Sequence, residues 1–280
     1  MKKLFKLATM LMVTAMLTLS AFAFTGCSAN KDPNKIYVGM ECGYAPFNYT
    51  QTTDANGAVK ISNANGYANG YDVMIAKKIA ESLGKELVIV KYKFEALIPA
   101  VQAGSLDFII AGMSPTAKRL EAIDFSDAYY ESQLVIVVRK DGNYADATSL
   151  NDFNGAKIVA QKGTFHDTVL EEQGAKYGIV RQTPLATFPA MINALNSKAI
   201  DGYVAEEPGA IADCAANEAL TYIHLVNNST GFTASKEDVQ IAIGLKKGNE
   251  LKTALNEALA KIDSAARLEM MNKATEYAVE

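Results

Sequence analysis

A helix–strand unit that occurs twice, 94 residues apart, restricts the architectures open to this chain more than any other feature. FEALIPAVQAGSLDFIIAGM (94–113) set over FPAMINALNSKAIDGYVAEE (188–207) gives identities at Phe94/Phe188, Ala96/Ala190, Ile98/Ile192, Ala100/Ala194, Asp107/Asp201 and Ala111/Ala205. Internal symmetry and a merely shared core pattern both account for six identities in twenty. In either case a buried strand opens at its C-terminal end into polar residues, Gly112–Ser114 in one unit and Glu206–Glu207 in the other. The preceding segment has the same alternation. Asp72 is expected to cap a helix whose Ile75, Ile79 and Leu83 share one face and which Gly84 ends, and Leu87–Tyr92 follows as a strand. Glu95–Ala103 is a second helix closed by Gly104, and Leu106–Ile110 a second strand. Such alternation implies α/β architecture with parallel strands and helical crossovers, and ligands in open α/β sheets sit outside the carboxyl ends of strands.

Length and punctuation divide this body in two. About 245 residues follow Lys35, more than one typical domain. Gln133–Lys140 (QLVIVVRK) is a β-branched run with no internal turn signal, expected to carry the chain from one lobe to the other, with the return near Asn227–Gly231 (NNSTG). Asp146–Gly155 leads into a strand, Lys157–Gln161, which runs into the loop Lys162-Gly163-Thr164; Gln240–Leu245 is a further strand, and Leu251–Tyr277 one or two helices.

The N-terminal segment has a different character. Met1–Gly26 begins with Lys2, Lys3 and Lys6, continues as an uncharged apolar stretch from Leu7 to Phe24, and ends in small residues before Cys27, the pattern of a secretion signal. Phe24-Thr25-Gly26-Cys27 resembles a bacterial lipobox with Phe24 in place of the usual leucine, so Cys27 is expected to be lipid-modified and residues 27–35 to form a tether. Removing the signal takes away three lysines and no acids, moving the formal charge from −4 to −7. Such an acidic body does not suggest nucleic acid as a partner. Cys42 and Cys214 lie far apart and outside any CxxC spacing, so neither a disulfide framework nor a zinc site is expected.

The run AGMSPTAKRLEAIDFSDAYY (111–130) sets a small polar loop directly after a hydrophobic strand and follows it with Arg119, whose planar fork of donors matches two carboxylate oxygens. Read with GYDVMIAKKIA from Gly70 and FEALIPAVQAGSLDFIIAGMS from Phe94, it resembles the extracytoplasmic solute-binding proteins, family 3, of polar and basic amino-acid ABC importers, across essentially everything after Lys35. The resemblance implies a two-lobed periplasmic-binding-protein fold of type II, each lobe a mostly parallel sheet flanked by helices and joined by a two-strand hinge. Lobe 1 would be discontinuous, residues 36–132 and 232–280, with residues 133–231 as lobe 2 and the C-terminal helices packed back onto lobe 1. It implies a lipid-anchored, extracytoplasmic monomer that closes on a free amino acid and hands it to permease subunits.

Site roles follow by the same resemblance. Arg119 matches the carboxylate-binding arginine, and backbone N–H groups of Thr164 and Phe165, at the start of a helix, complete that grip, with Gln161 on the strand that feeds the loop. Phe165 stands where the family often has a small residue. The ammonium is assigned to the Gly112 carbonyl, the Ser114 hydroxyl and Glu206, which stands where the family commonly carries aspartate. Tyr44 and Phe94 match the aromatic pair that sandwiches a ligand side chain, and Glu41 ends the first strand where relatives of basic specificity carry an acid, as relatives with neutral polar ligands also can. Glu207 has the simpler role of an acid at a helix N-terminus. The expected ligand is arginine or lysine, with glutamine or histidine as the alternative.

Catalytic constellations are poor. His166 and His224 are the only histidines and neither is spaced with another candidate metal ligand, although His166 borders the expected cleft. No nucleophile elbow or P-loop occurs, and no metal, cofactor or catalytic residue is assigned. A dehydratase-like enzyme on the same fold would have Glu206 as its general acid, and a ligand sensor remains a further alternative.

Overall fold

The alternation of apolar runs and glycine stops translates into two five-stranded sheets flanked by helices, in a computed structural model that describes residues 31–279. The signal segment and Cys27 lie outside the described residues, and the first strand already begins at Lys35, the last residue of the expected tether. In chain order come β1 (Lys35–Met40), β2 (Gly43–Tyr44), β3 (Asn48–Gln51), β4 (Val59–Lys60), β5 (Tyr67–Asn69), α1 (Tyr71–Ser82), β6 (Glu86–Lys91), α2 (Leu97–Gln102), β7 (Phe108–Ile109), α3 (Ala117–Ala122) and β8 (Asp124–Glu131). Next are β9 (Leu134–Arg139), β10 (Lys157–Val159), α4 (Phe165–Gln173), β11 (Val180–Arg181), α5 (Phe188–Asn196), β12 (Gly202–Glu206), α6 (Glu207–Ala216) and β13 (Leu220–Ile223). The chain closes with α7 (Lys236–Val239), β14 (Gln240–Leu245), α8 (Leu251–Ala260) and α9 (Ser264–Tyr277).

The two sheets share one topology. The first runs β6-β1-β7-β14-β8 and the second β11-β10-β12-β9-β13, and in each only the fourth strand is antiparallel to its neighbours. The repeated units sit in equivalent places down to single bonds. Asp107 Oδ2 accepts from the Tyr37 N–H at 2.6 Å while the Asp107 N–H donates to the Tyr37 carbonyl at 2.8 Å; Asp201 makes the same pair with Lys157, both at 2.8 Å. This doubled tie pins the entry of β7 and β12 to the neighbouring strand, so both strands present their C-terminal ends at the same edge. The strand predicted over Leu106–Ile110 pairs only at Phe108–Ile109, because the backbone turns into the polar loop from Ala111.

Both faces of each sheet are covered, which is why β9 reads as an unbroken apolar run rather than an alternating one. Leu134, Ile136 and Val138 pack with Phe153, Ile158 and Val204, while Val135 and Val137 face Met191, Leu195 and Tyr203. In the first sheet, Ile75 and Ile79 of α1 and Leu255 of α8 share a core with Val38 and Met40; Leu97, Val101 and Ile123 cover the opposite face. α8 thus joins the packing of the first sheet, while α9 touches both α1 and α6.

Two local expectations are corrected. Asp72 does not cap α1: the N-cap is Gly70 at φ +121°, where a Cβ would meet the Pro46 and Phe47 carbonyls at 2.6 and 2.5 Å, so only glycine fits. Asp72 instead lies buried in the first turn. Its carboxylate accepts from Asn48 Nδ2 at 2.8 Å, from the Tyr129 hydroxyl at 2.7 Å and from the Gly112 backbone. The return crossing also lies later than Asn227–Gly231. Phe232 is fully buried in the second sheet's core and the Thr233 N–H donates to Gln173 of α4, so the chain leaves that lobe only after Thr233. The outward crossing is the short step Ser132–Gln133 between β8 and β9, and Gln133 ties itself to Asn227 at 3.1 Å.

Candidate functional site

The strand ends of both sheets meet across one site lined mostly by buried residues. Tyr44, Phe94, Gly112, Ser114 and Arg119 line it from the first lobe, and Gln161, Thr164, Phe165, His166, Phe188 and Glu206 from the second. Nine of the ten expected ligand residues are therefore brought together. Glu41 is the exception. It lines a neighbouring open pocket with Lys91, Thr187 and Asp213, and is tied to the first site by Gln161, whose Nε2 donates to Glu41 Oε1 at 2.7 Å.

Each lining group has a local cause. Gly112 adopts φ +59°, and a Cβ there would sit 3.3 Å from the Tyr44 ring, so glycine allows both the turn and the contact. Thr116 caps α3 by accepting from the Arg119 N–H, which sets the guanidinium back over the loop. Arg119 Nη1 donates to the Ser114 carbonyl at 2.8 Å and Nη2 to the Gly163 carbonyl of the other lobe at 3.2 Å; the guanidinium carbon lies 5.3 Å from the Phe94 ring centroid. Burial lowers its pKa to about 10, so it stays charged at neutral pH. Thr164 caps α4, but its own N–H bonds the Gln161 carbonyl at 3.3 Å, so one of the two N–H groups assigned to a carboxylate is already engaged.

The polar centre is Glu206, at the junction of β12 and α6. Its two oxygens take the Tyr44 hydroxyl from the first lobe and His166 Nε2, at 2.9 Å, from α4. Burial works to raise this carboxyl, but the imidazole and the phenol outweigh it and hold it below the ordinary glutamate value. Glu41 goes the other way. Burial pushes it up to about 7 against the Gln161 hydrogen bond. The Tyr44 ring stacks on Phe188 across the lobes, centroids 4.1 Å apart and planes 14° apart, a pair worth about 0.5–1.5 kcal/mol beyond its buried area.

Phe188, to which the sequence assigned no site role, completes the wall together with His166, expected only at the border of the cleft. The 94-residue repeat carried the signal for Phe188, since it pairs Phe188 with Phe94 and both open a helix beside the cavity. His166 follows from its place in the first turn of α4, facing Glu206. Glu207 takes the simple role expected, half-buried in the first turn of α6 and 2.9 Å from His224. Among the described residues Cys42 and Cys214 are free thiols and no cluster of potential metal ligands occurs. No helix among them is long and apolar enough to cross a membrane.

The sequence profile of the bacterial extracellular solute-binding proteins, family 3, matches residues 36–274. The chain is 26% identical over 269 residues to the arginine-binding extracellular protein ArtP of Bacillus subtilis, covering 94% of this chain and 95% of that one. Among solved structures, an amino acid ABC transporter substrate-binding protein from Streptococcus pneumoniae bound to L-arginine superposes with a TM-score of 0.74 at 27% identity, covering 87% of this chain and 94% of that one. An ancestral arginine-binding protein bound to glutamine gives 0.69 at 26% identity, with 87% and 98% covered.

Proposed function

Because the chain belongs to family 3 of the bacterial extracellular solute-binding proteins, we propose that its cleft captures one amino acid between the lobes, residues 36–132 with 234–280 and residues 133–233, and that it presents this ligand to an ABC permease. One observation carries the reading: a guanidinium from the first lobe and a carboxylate from the second line the same buried site, the two opposite charges that a zwitterion requires. Arg119 takes the ligand's carboxylate with help from the start of α4. Glu206, Ser114 and the Gly112 carbonyl take its ammonium. Both grips come from both lobes, so the ligand binds the closed form better and shifts the equilibrium toward it. No covalent step is part of this function. A thermal-shift screen of the twenty amino acids plus ornithine tests it, since a ligand at a hundred times its dissociation constant stabilises by about 2.7 kcal/mol; no shift with any of them sinks the reading.

Arginine or lysine is the proposed ligand, supported by the names of the Bacillus and Streptococcus proteins and by Glu41, held beside the cavity by Gln161. A cationic side chain pulls the Glu41 proton off. Glu41→Gln should weaken arginine by about 1.5–3 kcal/mol and glutamine much less. In the wild type, arginine affinity should climb between pH 6 and 8, because Glu41 ionises only near pH 7. Equal losses for both ligands in calorimetry would make Glu41 a structural acid. A neutral polar ligand is the second reading, favoured by the Gln161 amide already bonded to Glu41, a contact that a glutamine side chain would imitate.

The anchor is proposed at Cys27. Cys27→Ala should move the protein from the membrane fraction into the soluble one, and unchanged retention on fractionation would refute lipidation there.

A further inference from the structure

His166 sits where the proposed ligand's ammonium has to arrive. It is 4% exposed, its Nε2 lies 2.9 Å from Glu206 Oε1, and its Nδ1 is buried with no hydrogen bond among the described residues. The other Glu206 oxygen takes the Tyr44 hydroxyl. Its other named neighbours have fixed partners or no charge: Phe188 of α5 meets it edge-on at 6.4 Å, Arg119 of α3 lines the same site on the Ser114 and Gly163 carbonyls, and Asp167, next on α4, is forked by Arg181 of β11 at 2.9 and 3.0 Å.

Counting charge gives the consequence. With an imidazolium in place, the bound state holds three positive groups, Arg119, His166 and the ligand ammonium, against two negative ones, Glu206 and the ligand carboxylate. A neutral imidazole balances the set. Histidine is the side chain that changes charge between about pH 5 and 8. From this arrangement we infer that His166 is a specificity-determining residue of the amine site, one that couples amino-acid capture to release of a proton: the ammonium docks on the Glu206 carboxylate as the imidazolium proton passes to solvent. The inference rests on the zwitterion reading above. The sign is that acid weakens binding and alkali strengthens it, and any ligand with a protonated α-amine is subject to it whatever its side chain. A ligand without that charge, such as an N-acetyl amino acid, gains nothing from the exchange.

Because Glu41 titrates near neutrality, the test removes it. Glu41→Gln protein with L-glutamine as probe is titrated calorimetrically at pH 5.5, 6.5 and 8.0 in two buffers of different ionisation heat, with and without His166→Gln, which keeps a donor at the Nε2 position but does not titrate. The expected result is affinity about tenfold weaker at pH 5.5 than at 8.0, with a buffer-dependent heat of proton release, and loss of both in the double variant. Binding with no proton release, or the same pH slope after His166→Gln, overturns the coupling and leaves the zwitterion reading standing. His166→Asn, whose donor sits near the Nδ1 position instead, should also lack the slope. No heat with any of the twenty amino acids on wild-type protein overturns the zwitterion reading and this inference with it.

Discussion

Arg119→Ala is expected to lower amino-acid affinity by about a thousandfold and to leave the fold intact. In the bound state the guanidinium is the charge that compensates a desolvated carboxylate, and removing one member of such a buried pair costs about 2–5 kcal/mol, with tenfold in affinity for each 1.4 kcal/mol. The fold depends on it far less, because Arg119 is partly buried on a six-residue helix and its bonds go to two backbone carbonyls rather than into a core. Arg119→Lys should fall between, keeping the charge but losing the planar fork. Calorimetry with wild-type and variant protein decides the matter, and an amino-acid amide offered to the wild type should reproduce the loss from the ligand's side. Variant affinity within threefold of wild type would mean that the carboxylate is held elsewhere.

Glu206→Gln should cost at least a hundredfold. The amide oxygen accepts from one of Tyr44 and His166 and the NH2 donates to the other's phenol oxygen or unprotonated ring nitrogen, so the variant keeps the side chain's shape and removes its charge, and hydrogen bonds to charged groups are worth about twice neutral ones. An N-acetyl amino acid, neutral at nitrogen, should bind wild type as poorly as the free amino acid binds the variant. The pH dependence has a definite sign. Glu206 is held below its ordinary pKa, so its contribution to stability is present above about pH 4.5, the unfolded value, and is lost only as pH falls through the lower folded value. Acid weakening of binding between pH 8 and 5.5 therefore cannot be traced to Glu206. Equal affinity of the wild type for free and N-acetylated ligand would sink the assignment of Glu206 to the amine.

Sequence alone reached the fold class and most of the cavity wall because the relevant signals are local. A strand end, a loop of small residues and an arginine five positions on lie within one short run, and their spacing survives folding unchanged. What it did not reach depends on distance. The Tyr44–Glu206 contact joins residues 162 apart in sequence, and nothing near either residue announces the other. Asp72 shows how a local rule fails. An aspartate at a helix start normally caps, but here Gly70 is obliged to be the cap by its approach to two carbonyls, and the carboxylate is drawn into a buried network with Asn48, Tyr129 and the binding loop. The turn signals of Asn227–Gly231 were real as well. They mark a turn within the second lobe, and it is the burial of Phe232 just beyond that delays the crossing.

The place of β14 has a consequence for how the chain is made. This strand, Gln240–Leu245, lies inside the first sheet, between β7 and β8. Until the last sixth of the chain arrives, those two strands face each other across a gap with unpaired backbone on both sides, which is an invitation to foreign strands. The second sheet has no such debt, since all five of its strands come from one continuous stretch, residues 134–223. Its contacts close shorter loops, so it is the natural first structure to mature, with the first lobe waiting on a pairing more than a hundred residues away in sequence. A nascent chain stopped near residue 235 would then carry a finished half and a half with an open seam, and the seam is where aggregation or a holding chaperone would act.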